Sequence, residues 1–368
     1  MSRKVPFFDL GASVEPVKDA LDQAWDAVYT NGAFVGGPAV TTFETAFAAY
    51  CETKHCIGVA NGTDALELVL RASGVGPGDE VIVPANTFFA TAEAVSNVGA
   101  TPIFADVDPA TLLMRPVDVE PMLTARTSAV IPVHLYGQPC DMPGFARLAA
   151  RAQIAVIEDA AQAHGARCDG QAPGAQSTAA TFSFYPGKNL GALGDGGAVV
   201  TNDDELADTI RSLSAHGRSI SDRYVHDRIG RNSRLDTLQA AFLTVRLEQL
   251  ESENEHRRLV RDRYERWLPP WVQLVKQEPG RISSHHLIVA EVNEREEFRR
   301  ELESNGVSTG LHYPVPCHLQ QAYVGDRRPM TRPVAETAAG RIVSLPVWGQ
   351  IPEEDVAYVC EQIDAIRH

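Results

Sequence analysis

The run Thr181-Phe-Ser-Phe-Tyr-Pro-Gly-Lys-Asn-Leu-Gly-Ala-Leu-Gly-Asp-Gly-Gly197 places a single lysine, Lys188, in a loop made largely of glycine and small residues. Ahead of it, the hydrophobic stretch Ala180 to Tyr185 reads as a strand that Pro186-Gly187 ends. A glycine-rich loop lets a flat ligand approach the backbone, because no Cβ excludes it. A lysine held there loses solvation, its pKa falls, and it becomes an amine nucleophile towards an aldehyde. The ordinary alternative is a solvated loop lysine. The neighbouring sequence decides between them.

Upstream, Ile154-Ala-Val-Ile-Glu-Asp-Ala-Ala-Gln-Ala-His164 reads as a short buried parallel strand ending in polar residues. In open α/β sheets, functional groups sit at the carboxyl ends of strands, and Asp159 falls there. A carboxylate under a pyridine ring keeps the ring nitrogen protonated, which is what pyridoxal phosphate (PLP) chemistry needs. Asp159 also reads as a helix N-cap. Gln162, three residues on, is placed to reach a ring hydroxyl. Further upstream, Cys56 to Leu70 reads as strand, tight turn and helix. Asn61-Gly62-Thr63-Asp64 opens the helix, and its free N–H groups form an anion site. The same four residues also fit an ordinary Asn-Gly turn with a cap. After the strand at Val81, either Phe88 or Phe89 is placed to stack on a ring or to join the core.

In this order and spacing, the pieces resemble the DegT/StrS-type sugar aminotransferases, which are PLP enzymes of fold type I. The resemblance runs from Val5-Pro-Phe-Phe-Asp-Leu10 through Asn31-Gly-Ala-Phe-Val-Gly-Gly37 to Ser344-Leu-Pro346. It implies a large domain (1–270) with a mainly parallel sheet sandwiched by helices, and a small α+β domain (271–368). By resemblance, Lys188 is the Schiff-base lysine, Asp159 the pyridinium partner and Gln162 the ring-hydroxyl contact. Gly62 and Thr63 bind phosphate through their backbone, Ser183 through its hydroxyl, and Phe88 stacks on the ring. The segment Ile229–Ala241 resembles the stretch whose asparagine, here Asn232, reaches the phosphate of a neighbouring subunit. That implies a homodimer with shared active sites.

The lysine loop is similar to that of enzymes aminating C3 of a nucleotide-linked 3-keto-6-deoxy sugar, as is Leu311-His-Tyr-Pro-Val-Pro-Cys-His-Leu-Gln320. Candidate substrate contacts are therefore Tyr185, His312, Tyr313 and His318, although either histidine also reads as merely structural. The implied reaction uses L-glutamate as donor, the cofactor passing between its PLP and PMP forms, and a dTDP carrier is expected from the family. A sister group carries histidine in place of the lysine and dehydrates sugars; Lys188 argues against that. The rival readings are a C4 or inositol-ketone aminotransferase, and a PLP-holding regulatory protein without turnover. A dehydrogenase is disfavoured, since the glycines after Lys188 do not spell G-x-G-x-x-G.

Length and composition agree. The 368 residues allow one large and one smaller domain, and 44% hydrophobic content suits a sizeable core. The net charge of −15 disfavours nucleic acid or an anionic membrane as partner. An anionic nucleotide sugar then needs local cations, for which Arg218, Arg231 and Arg234 lie in suitable loops. No stretch reads as a membrane span or signal peptide, so the expected location is cytoplasmic. The six cysteines form no C-x-x-C pair and read as reduced structural thiols, with no metal site. Strand and helix signals alternate from about 55 to 215. Leu235–Arg266 then reads as one long amphipathic helical region whose charges face solvent, closed by Trp267-Leu-Pro-Pro-Trp271.

Overall fold

A computed structural model describes residues 3–219, 221–222, 224–324 and 331–366. Seven strands form the central sheet: β1 (His55–Val59), β2 (Glu80–Pro84), β3 (Thr101–Ala105), β4 (Thr127–Val130), β5 (Ala155–Asp159), β6 (Ala179–Ser183) and β7 (Gly197–Thr201). Their order across the sheet is β1-β7-β6-β5-β4-β2-β3. The pairings from β6 through β5, β4 and β2 to β3 are parallel; β7 is antiparallel to both its neighbours. Every residue of β2 and β7 is buried, as expected where helices cover both faces of a sheet. Val81, Ile82 and Val83 are wholly buried, each contributing about 1.5–3 kcal/mol against exposure.

The strands read from sequence recur within a few residues because apolar runs bounded by turn residues leave little choice of length. The reversal of β7 follows from the lysine loop. Ser183 pairs with Gly197 and Phe182 with Ala198, so residues 184–196 form the turn of a broad hairpin. Phe184 N–H donates to the Gly196 carbonyl and Ala192 N–H to the Phe184 carbonyl, both at 2.8 Å. Helices follow the strands with side-chain caps: Asn61 caps Gly62–Ala72, Asp141 caps Met142–Ala152 and Asp203 caps Asp204–Ser214.

A second core lies around a three-stranded antiparallel sheet in the order Ile342–Leu345, Ile288–Glu291, Gln273–Leu274. It draws Val5 from the N-terminal arm and Val260 and Tyr264 from the helix Leu250–Trp267, together with Phe298, Leu302, Trp348 and Ile363.

The stretch Leu235–Arg266 departs from its sequence reading in two ways. It is two helices, Thr237–Leu247 and Leu250–Trp267, and neither Pro nor Gly marks the break. Several of its charges are buried rather than solvated: Arg246, Glu253, Arg257 and Arg261 are 2–7% exposed. Arg246 pairs with Glu253 at 3.7 Å, Arg257 Nη1 donates to the His285 carbonyl at 3.3 Å, and Arg261 Nη2 to the Val275 carbonyl at 3.3 Å. The buried guanidiniums of Arg257 and Arg261 thus satisfy loop carbonyls that pack on the helix, a demand invisible to periodicity. Among the described residues, no helix is long and apolar enough to cross a membrane.

Candidate active site

The carboxyl ends of β1, β2, β5 and β6 supply the site. Past β1, Asn61 Oδ1 accepts from Asp64 N–H at 2.8 Å and starts the helix Gly62–Ala72. Gly62 is needed for fit: a Cβ there would stand 2.8 Å from Ser183 Cβ. Gly197 is equally constrained, since its Cβ would meet the Asn61 carbonyl carbon at 2.5 Å. The first helical turn and the end of β6 are therefore pressed together. The N–H groups of Gly62 and Thr63 and the Ser183 hydroxyl lie at one helix N-terminus, suited to a phosphate.

Asp159 ends β5 and is buried. Its Oδ2 accepts from Thr91 Oγ1 at 2.8 Å and its Oδ1 from Ala161 N–H at 3.2 Å. No helix begins here, so the capping alternative falls away. Lys188 lies in the hairpin turn, where its N–H donates to the Tyr185 carbonyl at 2.8 Å. Burial pulls its amine down to about 8, against the opposing pull of the Asp159 carboxylate. Among the described residues its Nζ has no hydrogen-bond partner.

Gln162 is held at both ends of its amide. Its Oε1 accepts from Tyr136 N–H at 2.6 Å, and its Nε2 donates to Tyr313 Oη at 3.1 Å. One Nε2 hydrogen is left for a ligand. Phe88 is 56% exposed and leans on Tyr313, with ring centroids 5.5 Å apart, whereas Phe89 packs on Tyr323. Phe88, rather than Phe89, is therefore the ring open to the cleft. His312 stacks on Phe7, bonds Ser344 Oγ through Nδ1 at 2.9 Å, and accepts through its carbonyl from Tyr136 Oη at 2.6 Å. Burial, then the nearby Lys188 charge, lowers its pKa to about 4. Burial likewise raises the Tyr313 phenol. Tyr185 is exposed beside the lysine.

His318 is buried on Phe104, with Nε2 3.1 Å from Glu336 Oε1. Asn232 is exposed, its backbone bridged to Ala215. Of the three arginines expected near an anionic substrate, Arg231 is engaged by Asp64 at 2.9 Å and by Glu67. That ties its segment to the phosphate-side helix. Arg218 and Arg234 are exposed.

Sequence reading missed Thr91, Tyr136 and two histidines near the lysine. His164 packs between Phe182 and Phe184, and burial with the Lys188 charge lowers it to about 3. His286 is discussed below. Thr91 lies two residues into the helix Phe89–Asn97, a signal readable only once the end of β5 was known to face it.

The residues fit PLP. A carboxylate for a ring nitrogen, an amine without a partner among the described residues and a cradle that a Cβ would fill stand at one sheet edge. A cavity of about 660 Å³ lies elsewhere, between Met114–Val117 and the helix Met142–Ala152. Its Arg115, Arg151 and Arg281 are already paired with Asp108, Glu120 and Asp141.

The family described as the DegT/DnrJ/EryC1/StrS aminotransferases matches residues 17–364. The chain is 46% identical to the erythromycin biosynthesis sensory transduction protein EryC1 of Saccharopolyspora erythraea, over 98% of this chain and 99% of that protein. It is 45% identical to the dTDP-3-amino-3,4,6-trideoxy-alpha-D-glucose transaminase of Streptomyces venezuelae, over 99% and 96% respectively. The crystal structure of S. venezuelae DesV in complex with a ketimine intermediate superposes with a TM-score of 0.96 at 44% identity, covering 98% of each chain. A sheet edge built for a cofactor and an end-to-end match of this kind have one reading: the chain belongs to the DegT/DnrJ/EryC1/StrS aminotransferase family.

Proposed function

We propose that the chain moves the amino group of L-glutamate to C3 of a dTDP-linked 3-keto-6-deoxyhexose. The product is the dTDP-3-amino-3,6-dideoxyhexose, made in the cytoplasm as a step of deoxyaminosugar biosynthesis. The observation that carries the reading is Lys188, an amine of lowered pKa without a hydrogen-bond partner among the described residues, at the edge where Asp159 and the Gly62–Ser183 cradle meet. The cofactor is PLP, which when bound supplies an electron sink for the carbon next to nitrogen.

The chain's own residues do the rest. Gly62 and Thr63 N–H groups and the Ser183 hydroxyl hold the phosphate, joined by Asn232 from a second subunit of a homodimer. Asp159, oriented by Thr91, holds the ring nitrogen in its protonated form. Gln162 reaches the ring hydroxyl, and Phe88 covers the ring face. Lys188 takes the proton from the donor Cα and returns it on the other side of the exchange. Positioned acid–base help of this kind is worth about 10²–10⁴-fold. Tyr185, His312 and Tyr313 are assigned to the sugar side, whereas His318, expected there from sequence, is buried on Phe104 and paired with Glu336 and takes the structural reading. The acceptor carbon and the carrier rest on the Streptomyces relative, whose name specifies a dTDP-3-amino sugar.

The test offers the protein L-glutamate with dTDP-3-keto and dTDP-4-keto 6-deoxyhexoses in parallel, with products identified by mass and NMR. Amination of the 3-keto sugar, with parallel double-reciprocal plots for the two substrates, is the expected result. Turnover of the 4-keto sugar alone would overturn the C3 assignment, and no amination of either would overturn the substrate class.

A further inference from the structure

Behind the lysine loop runs a chain of amides to which the reaction above assigns no role. Asn189, next to Lys188, is buried, and its Nδ2 donates to Asn254 Oδ1 and to the Ser284 carbonyl, each at 2.8 Å. Asn254 Nδ2 donates in turn to the His164 carbonyl at 2.8 Å. Backbone carbonyls only accept, so neither amide can be turned end for end without losing a bond. Asn189 Oδ1 is therefore the atom facing His286 Nδ1 at 3.0 Å, and Nδ1 must carry the proton. A neutral imidazole protonated at Nδ1 presents a lone pair at Nε2. His286 is held neutral by burial first, then by the charges of Lys188 and Arg257.

The scaffold behind this arrangement is stiff. Arg257, 2% exposed and one turn on from Asn254 in the helix Leu250–Trp267, donates through Nη1 to the carbonyls of His285 at 3.3 Å and His286 at 3.5 Å. The backbone and the ring of His286 are thus both fixed from the same helix. His286 Nε2, like Lys188 Nζ, has no hydrogen bond among the described residues.

We propose that His286 Nε2 is a preset hydrogen-bond acceptor for the Lys188 amine, making His286 a positioning residue held by the chain Asn254–Asn189–His286. The proposal rests on Lys188 being the working amine. Once that amine is free of the cofactor it needs an acceptor to orient it. Asp159, His164 and His312 are the other ionisable groups that act on Lys188 or feel its charge. A second carboxylate in place of His286 would lock the lysine as ammonium, whereas an imidazole lone pair orients the ammonium without adding charge.

The test reads Lys188 itself. Full-length protein freed of cofactor is acylated competitively across pH, and the Lys188 peptide is quantified by mass spectrometry. The acceptor favours the ammonium form, so H286F should move the labelling midpoint down by about one to two pH units. H286Q places an amide oxygen near the Nε2 position and should stay close to the parent. H286N reaches only the Nδ1 position, so it keeps the Asn189 contact and should behave like H286F. A merely structural role predicts the reverse, with Asn rescuing and Gln failing. Superimposed midpoints for the parent and H286F, or rescue by Asn, would overturn the proposal. If H286F does not fold, as thermal unfolding will show, the Gln and Asn pair still decides. Because no sugar is present, a normal labelling shift beside a failed 3-keto amination overturns only the substrate reading.

Discussion

Asp159 has one side-chain donor, a neutral hydroxyl, beside the Ala161 N–H. Thr91 Oγ1 donates to its Oδ2 at 2.8 Å within a buried setting. In Thr91→Val the shape is kept and the donor is lost, leaving a buried carboxylate oxygen short of a partner. The loss of about 1.5–3 kcal/mol expected for a hydrogen bond to a charged group corresponds to a fall in kcat of about 10–100-fold. Steady-state kinetics at saturating glutamate check it; unchanged kcat would mean that Thr91 only fills space. His164 carries a consequence for stability. Its folded pKa of about 3 lies below its ordinary 6.5. Above about 6.5 both folded and unfolded chains hold it neutral, so it costs nothing. As pH falls towards 3 the unfolded chain takes up a proton that the folded one refuses. Stability then drops by up to about 1.4 kcal/mol per pH unit from this residue. His164→Phe, which keeps a ring against Phe182 and Phe184, should flatten denaturant-measured stability by about 1.6 kcal/mol over pH 6.5 to 5 relative to the parent. An identical slope in the two proteins would exclude His164 as the source.

Elements differ in how much of them could be read from sequence, for physical reasons. β2 and β7 have apolar centres, Val81-Ile82-Val83 and Ala198-Val199-Val200, bounded by turn residues, so burial of those centres fixed their extent. The start of the helix Gly62–Ala72 was legible because its cap and glycine are adjacent in sequence. Not legible was why that glycine is obligatory: the contact is with Ser183 on a strand that follows more than a hundred residues later. Gly62→Ala should therefore leave the helix intact, since alanine is the better helix former, while forcing the first turn off the end of β6. Phosphate binding should weaken, with the apparent Kd for PLP rising at least about tenfold and Tm of the cofactor-free protein shifting little. Absorbance titration with PLP and a thermal melt separate the two effects. The helix Leu250–Trp267 was misread for the same reason of distance. Its Glu and Arg spacing matches a solvated face, and the partners that bury Asn254, Arg257 and Arg261 are carbonyls of segments near 164, 275 and 285. Asn189 and His286 went unnoticed because their bond spans 97 residues.

At the scale of the whole molecule, the described protomer gathers every assigned cofactor contact except one. Gly62, Thr63, Phe88, Asp159, Gln162, Ser183 and Lys188 arise from β1, β2, β5 and β6 or the segments that follow them, whereas Asn232 is exposed on a segment bridged to Ala215. Exposed apolar side chains stand on neighbouring stretches, among them Trp25, Tyr29, Phe34, Tyr224 and Ile229, a surface suited to a second copy of the chain. If Asn232 serves the partner's phosphate site, two crippled subunits can repair each other. Lys188→Ala homodimers lack the amine in both sites and should be inactive. Asn232→Ala homodimers lack the phosphate contact in both and should bind PLP poorly. In a hybrid, the subunit that keeps Lys188 receives Asn232 from the Lys188→Ala subunit, so one of its two sites is whole. With equal expression and random pairing, half the dimers are hybrids, and activity at limiting PLP should return to about a quarter of the parent's. Differently tagged subunits, co-expressed and purified through both tags, isolate the hybrid and raise that figure to about half. If Asn232 acts within its own subunit, neither site of the hybrid is complete and the mixture shows no gain over Asn232→Ala alone, which would remove the shared-site dimer from the mechanism.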